Sequence, residues 1–116
     1  MSKYKLYLND ILRAIDLIEK STKEKEFNEF KSNMELIDAS AMRIQIIGES
    51  LKKLSKLLKE KYKKVDWERY IQIRNIISHA YFAVNTKIIW SIIKDEIPKL
   101  KKAINEVIKN ENTKQK

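Results

Sequence analysis

Apolar residues recur at three- and four-residue intervals along most of the chain, which is the spacing of a helix face and not the alternation of a strand. From Tyr4 to about Lys20 that face is Tyr4, Leu8, Ile11, Leu12, Ile15 and Ile18, which predicts a first amphipathic helix. Ser21-Thr-Lys-Glu24 has the form of a capping box and predicts a short second helix carrying Phe27 and Phe30. Ser32-Asn-Met-Glu35 repeats the pattern and opens the longest segment, in which Met34, Ile37, Ala41, Ile44, Ile47, Leu51, Leu54 and Leu58 keep one face to about Lys61. Asp66 is placed to cap a helix that starts at Trp67, turns Trp67, Tyr70, Ile73, Ile76 and Ile77 inward and ends near the histidine. Asn85 caps a last helix through Ile88, Ile89, Ile92, Ile93 and Ile97, with Pro98 kinking it or starting a new turn. The expected architecture is all-α: an up-and-down helical bundle of four main helices plus a short one. Residues 1–110 form a single helical domain in this reading, and 111–116 a polar C-terminal tail that frays.

Composition supports that reading and narrows the chemistry. One glycine and one proline in 116 residues leave little material for strand hairpins. The length suits one domain with one core. Gly48 stands inside the long helix, where it costs about 1 kcal/mol relative to alanine; a close helix approach or access to a site would explain it. The chain has no cysteine, which excludes disulfides and thiolate metal sites and fits a reducing compartment, with the cytoplasm as default. The charged N-terminal stretch fits neither a signal peptide nor a membrane span. A net charge of +9 favours a polyanion such as RNA, or an acidic partner, although lysines that merely solvate helix faces would give the same count.

Candidate chemistry concentrates in Arg74-Asn-Ile-Ile-Ser-His79-Ala-Tyr81, which holds the one histidine of the chain. An imidazole titrating near neutrality can serve as base or acid in metal-free RNA cleavage, and a guanidinium can hold the phosphate bidentately. Arg74 and His79 meet those needs as residue types, and Tyr81 can bind a phosphate oxygen or stack on a base. Positions five apart on a regular helix differ by about 140°. Arg74 and His79 therefore converge only if the helix ends around Ser78 to Ala80, or if a two-fold dimer supplies one of them from a partner chain. Asn75 and His79 are four residues apart, as are Arg74 and Ser78, so Asn75 and Ser78 are candidate orienting residues. Zinc would lack ligands, and Asp38, Asp66 and Glu49 show no metal-ligand spacing; no metal or cofactor is called for. Glu49 beside Gly48 could face the cleft, but an exposed or salt-bridged carboxylate is the commoner reading. Trp67 and Trp90 read as core or dimer anchors.

The Arg-x4-His-x-Tyr pattern of Arg74, His79 and Tyr81 resembles the signature of the HEPN superfamily of small helical proteins. In particular it resembles the HepT branch of ribonuclease toxins that pair with a nucleotidyltransferase antitoxin. Ile44-Gln-Ile-Ile-Gly-Glu-Ser50 upstream and the stretch from Tyr81-Phe82 to Pro98 read alike, so the resemblance covers most of the chain. Ala80 stands where such sequences often have glycine. The resemblance implies a homodimeric endoribonuclease without metal or cofactor, with Arg74 and His79 catalytic and RNA as substrate. It further implies an MntA-like antitoxin that transfers AMP to Tyr81. Two other readings remain: a non-catalytic helical partner of a nucleotidyltransferase that recognises nucleotide or RNA, and a basic RNA-binding bundle.

Overall fold

The computed structural model describes residues 3–114, and every regular element among them is helical. Helix α1 spans Lys3–Thr22, α2 Phe27–Lys31, α3 Met34–Lys53, α4 Lys56–Lys61, α5 Trp67–Phe82, α6 Thr86–Ser91 and α7 Ile97–Lys114, with a π-helical turn at Ile92–Glu96 joining the last two. Cross-helix contacts fix the directions. Arg43 of α3 reaches the Leu17 carbonyl of α1, while Lys53 lies over the Tyr7 ring. Gln45 meets Ser78, and Asp38 meets Tyr81. Lys94 donates to the Thr22 carbonyl, and Lys101 pairs with Glu19. In each series one residue number falls as the other rises, so α1, α3, α5 and the α6–α7 unit alternate in direction. The up-and-down order follows, with two short helices, α2 and α4, where one was expected.

The predicted faces form the core. Leu8, Ile11, Ile15 and Ile18 of α1 pack with Ile37, Ile44, Ile47 and Leu51 of α3, Ile73 and Ile77 of α5, and Ile89, Ile97, Leu100 and Ile104 of the last helices. Each such side chain withdrawn from water contributes roughly 1.5–3 kcal/mol before ordering costs. Met34 and Ile76 depart from expectation: both are exposed. Trp67 is buried, and its indole N–H donates to the Tyr62 carbonyl. Trp90 packs on Phe30 with ring centroids 4.9 Å apart.

Helix ends account for the other corrections. Ser21 and Thr22 do not start α2; they finish α1, their hydroxyls donating back to the Leu17 and Ile18 carbonyls. The cap of α2 is Glu26, whose N–H donates to the Glu29 carboxylate. Asn33, not Ser32, caps α3 by accepting from the Leu36 N–H. The long segment breaks at Leu54 and Ser55: Leu54 is extended, and the Ser55 hydroxyl accepts from Leu58 N–H to start α4. Asp66 and Asn85 cap α5 and α6 as expected.

Pro98 lies in the first turn of α7. It has no N–H to give to the Lys94 carbonyl, and the wider π turn precedes it. The expected tail is helical as far as it is described: α7 runs to Lys114, where buried Glu111 accepts from the Tyr62 hydroxyl and pairs with Lys61. Burial and that carboxylate push the Tyr62 phenol up to about 12. Residues 115 and 116 lie outside the described residues. Among the described residues no helix is long and apolar enough to cross a membrane.

Candidate active site along the groove between two helices

Helix α5 does not end near Ser78. It continues to Phe82 and closes with the Val84 N–H donating to the Tyr81 carbonyl and the Asn85 N–H to the Ala80 carbonyl. This is the paired bonding of a Schellman end, with Val84 in the left-handed conformation (φ 55°) where glycine is usual. Helical phase therefore holds throughout the motif. Arg74, Ser78 and Tyr81 share the face toward α3, while His79 sits about 140° around the helix from Arg74.

Each side chain on the α3 side has a partner there. The Arg74 Nε lies 2.7 Å from the Glu49 Oε1. Gln45 donates its amide to the Ser78 hydroxyl at 2.8 Å, and that hydroxyl donates to the Arg74 carbonyl at 3.2 Å. The Tyr81 hydroxyl donates to the Asp38 carboxylate at 2.7 Å. This hydrogen bond, and then the carboxylate's charge, raise the phenol above its usual range. Beside Tyr81 a cleft of about 350 Å³ is lined by Asp38, Met42, Gln45, Ser78, Tyr81 and Phe82. The Arg74 side chain is 38% exposed beside Glu49, which leaves the guanidinium open to a phosphate from solvent.

Gly48 explains how α5 comes so close. A Cβ built there would lie 2.7 Å from the Arg74 Cβ, which is nearer than carbon atoms pack. That Arg74 atom is fixed to the backbone, so the helices themselves would have to shift. Gly48→Ala is expected to destabilise the fold by about 1–3 kcal/mol despite alanine's better helix propensity. Urea unfolding checks this; an unchanged or raised midpoint would contradict the close approach.

On the outer face His79 is exposed and its imidazole makes no hydrogen bond or ion pair to any described residue. Asn75 does not orient it. The Asn75 amide donates to Gln72, whose own amide donates to Glu68. Flanking His79 at three residues either side are Ile76, 46% exposed, and Phe82, 82% exposed. A single chain thus presents its arginine and its histidine on different faces. Asp38 and Gln45 complete the α3 side, and motif reading did not single them out as site residues. Among the described residues no group of three or more histidine, cysteine or carboxylate side chains is arranged to hold a metal ion.

Comparison with known proteins agrees with the family resemblance. Residues 11–107 match the family described as Ribonuclease HepT-like. A Methanocaldococcus jannaschii protein, named as a gamma-glutamylcyclotransferase and candidate RNase, is 41% identical over 114 residues. The match covers 95% of this chain and 51% of that protein, so the chain spans about half that relative's length. A candidate RNase of Caldanaerobacter subterraneus is 36% identical over 105 residues, covering 90% of this chain and 94% of the relative. A protein of Thermococcus cleftensis named as a probable ribonuclease HepT is 35% identical over 98 residues, covering 84% of this chain and 89% of its own. No solved structure matches the chain.

Proposed function

Because the chain belongs to the HepT-like ribonuclease family, we propose that it is the endoribonuclease toxin of a toxin–antitoxin pair, cleaving RNA without metal as a homodimer. The observation that carries the dimer is the continuous α5 helix, which holds Arg74 and His79 on different faces of one chain. A second copy docked over the outer face brings its own Arg74 toward His79 and covers the exposed Ile76 and Phe82.

Arg74 grips the scissile phosphate and offsets the charge that gathers on its oxygens. His79 transfers the proton. As the 2′-oxygen bonds to phosphorus and the bond to the 5′-oxygen breaks, the 2′-hydroxyl loses a proton and the leaving oxygen gains one, giving a 2′,3′-cyclic phosphate and a 5′-hydroxyl. Each of the two sites takes Arg74 from one copy and His79 from the other, and the second proton is exchanged with solvent. Ser78 and Gln45 hold the arginine's helix against α3.

Tyr81 is the proposed control point. A nucleotidyltransferase antitoxin of the MntA kind supplies ATP: the Tyr81 oxygen attacks the α-phosphorus, pyrophosphate leaves, and the phenolic proton passes to solvent. The resulting AMP diester carries negative charge on the groove face that also bears Arg74, about 10 Å along the helix, where it competes with RNA. The exposed Tyr81 hydroxyl at the rim of the cleft supports this role.

A second reading draws on the unpartnered imidazole: with nothing to orient His79 within a chain, the motif would serve recognition in a non-catalytic partner of the transferase. Incubating the purified, unmodified protein with RNA in EDTA separates the two. Cleavage leaving cyclic phosphate ends is expected. Intact RNA across single-stranded, structured and transfer RNA substrates would favour the module.

A further inference from the structure

We propose that the lysine-rich segment from the end of α3 through α4 is an RNA-docking surface that extends the active-site groove beyond Arg74. The inference rests on the RNA-cleaving reading above and adds where the substrate lies. Residues 52–64 hold seven lysines against one glutamate, so six of the chain's nine net positive charges fall within one short stretch. Its placement is as informative as its charge. Lys52 follows Glu49 by three residues and so continues its side of α3, while Lys53, one residue on, turns to the Tyr7 ring of α1. Glu49 is the partner of Arg74, which puts Lys52 within about 6 Å of that pair along the helix axis.

From there the segment turns at Leu54 and Ser55 into α4. A shallow cleft of about 500 Å³ lies between α4 and the start of α5, lined by Lys56, Lys59, Lys63 and Lys64 together with Glu60, Asp66 and Glu68, so its positive charge is densest at the exposed lysines. Lys52, Lys56, Lys63 and Lys64 are exposed and make no ion pair within the described residues. Lys61 is different, being paired with Glu111. Exposed, unpaired ammonium groups in a row suit a sequence-independent phosphate backbone. The opposite end of the groove carries Asp38 on Tyr81, so charge favours RNA leaving the catalytic arginine toward α4. Trp67 is buried beside this cleft and offers no stacking face, which leaves the contact electrostatic.

The test compares two triple variants of equal charge: Lys56→Gln, Lys63→Gln and Lys64→Gln on the proposed surface, and Lys99→Gln, Lys102→Gln and Lys109→Gln on exposed positions of α7. Anisotropy of a labelled single-stranded RNA, with His79→Ala added to prevent cutting, is measured over a KCl series. The first triple is expected to weaken binding at low salt more than about tenfold and to lower the log–log salt slope by about 2. The α7 triple should change affinity less than about twofold. With His79 restored, the first triple should raise KM for long RNA and leave kcat on a dinucleotide unchanged.

Equal weakening by both triples would reduce the segment to its share of net charge and overturn the proposal. Loss of binding to the nucleotidyltransferase partner with RNA affinity intact would assign the surface to an acidic protein and overturn it too. A wild-type chain that cuts RNA, alongside a first triple with unchanged KM, rejects this inference alone. A wild-type chain that neither binds nor cuts RNA rejects the ribonuclease reading beneath it.

Discussion

His79→Ala is expected to lower RNA cleavage by about 10²–10⁴-fold, the range a positioned general acid or base contributes. The substitution should leave the fold intact, because the imidazole is exposed and holds nothing in place within the chain. Arg74→Ala should cost activity on a similar scale by removing the phosphate clamp. Its effect on stability should be small, since the Arg74–Glu49 pair is more than a third exposed on both sides and such pairs contribute about 0–1 kcal/mol. Initial rates on one labelled RNA, with thermal unfolding run in parallel, separate catalytic loss from unfolding. Wild-type rates for either variant would remove that residue from the mechanism.

The second large effect concerns Tyr81. When the chain is produced together with a functional partner transferase, its intact mass is expected to rise by one or more AMP units, and Tyr81→Phe should abolish the increase. The substitution removes one exposed hydrogen bond, to Asp38. The variant should therefore stay folded and, freed from modification, cut RNA in the partner's presence. A mass increase that persists in Tyr81→Phe would move the acceptor elsewhere. An unmodified wild-type chain would count against this form of control.

Much of this was legible in the sequence because helical spacing is a local signal. The faces built on Ile11, Ile44, Ile77 and Ile97 are fully or almost fully buried, and Asp66 and Asn85 cap the helices they precede. Gly48 pointed to a close approach, and Arg74 lies there. What escaped notice has physical reasons. The interval from Leu51 through Leu54 to Leu58 stays in helical register across the break at Ser55, so periodicity cannot see it. The end of α5 was placed too early because Val84 holds the left-handed position, and a β-branched residue there gives no glycine signal. Ser21 and Ser32 resembled caps, yet their hydroxyls bond backward within the preceding helices.

The α3 side of the site was harder still. Asp38 lies 43 residues from Tyr81, and Gln45 lies 33 from Ser78; only the packing of α3 on α5 brings them together. The histidine posed the opposite problem. Spacing already required either an early helix end or a second chain, and the continuous α5 helix removes the first.

Mixing Arg74→Ala with His79→Ala, each inactive alone, tests the shared site most directly. If Arg74 of one copy works with His79 of the other, subunit exchange forms mixed dimers carrying one complete site. Activity should then return to about a quarter of the wild-type value at equal proportions. No recovery, in a mixture shown by native mass spectrometry to contain the mixed dimer, would contradict a site built across two chains.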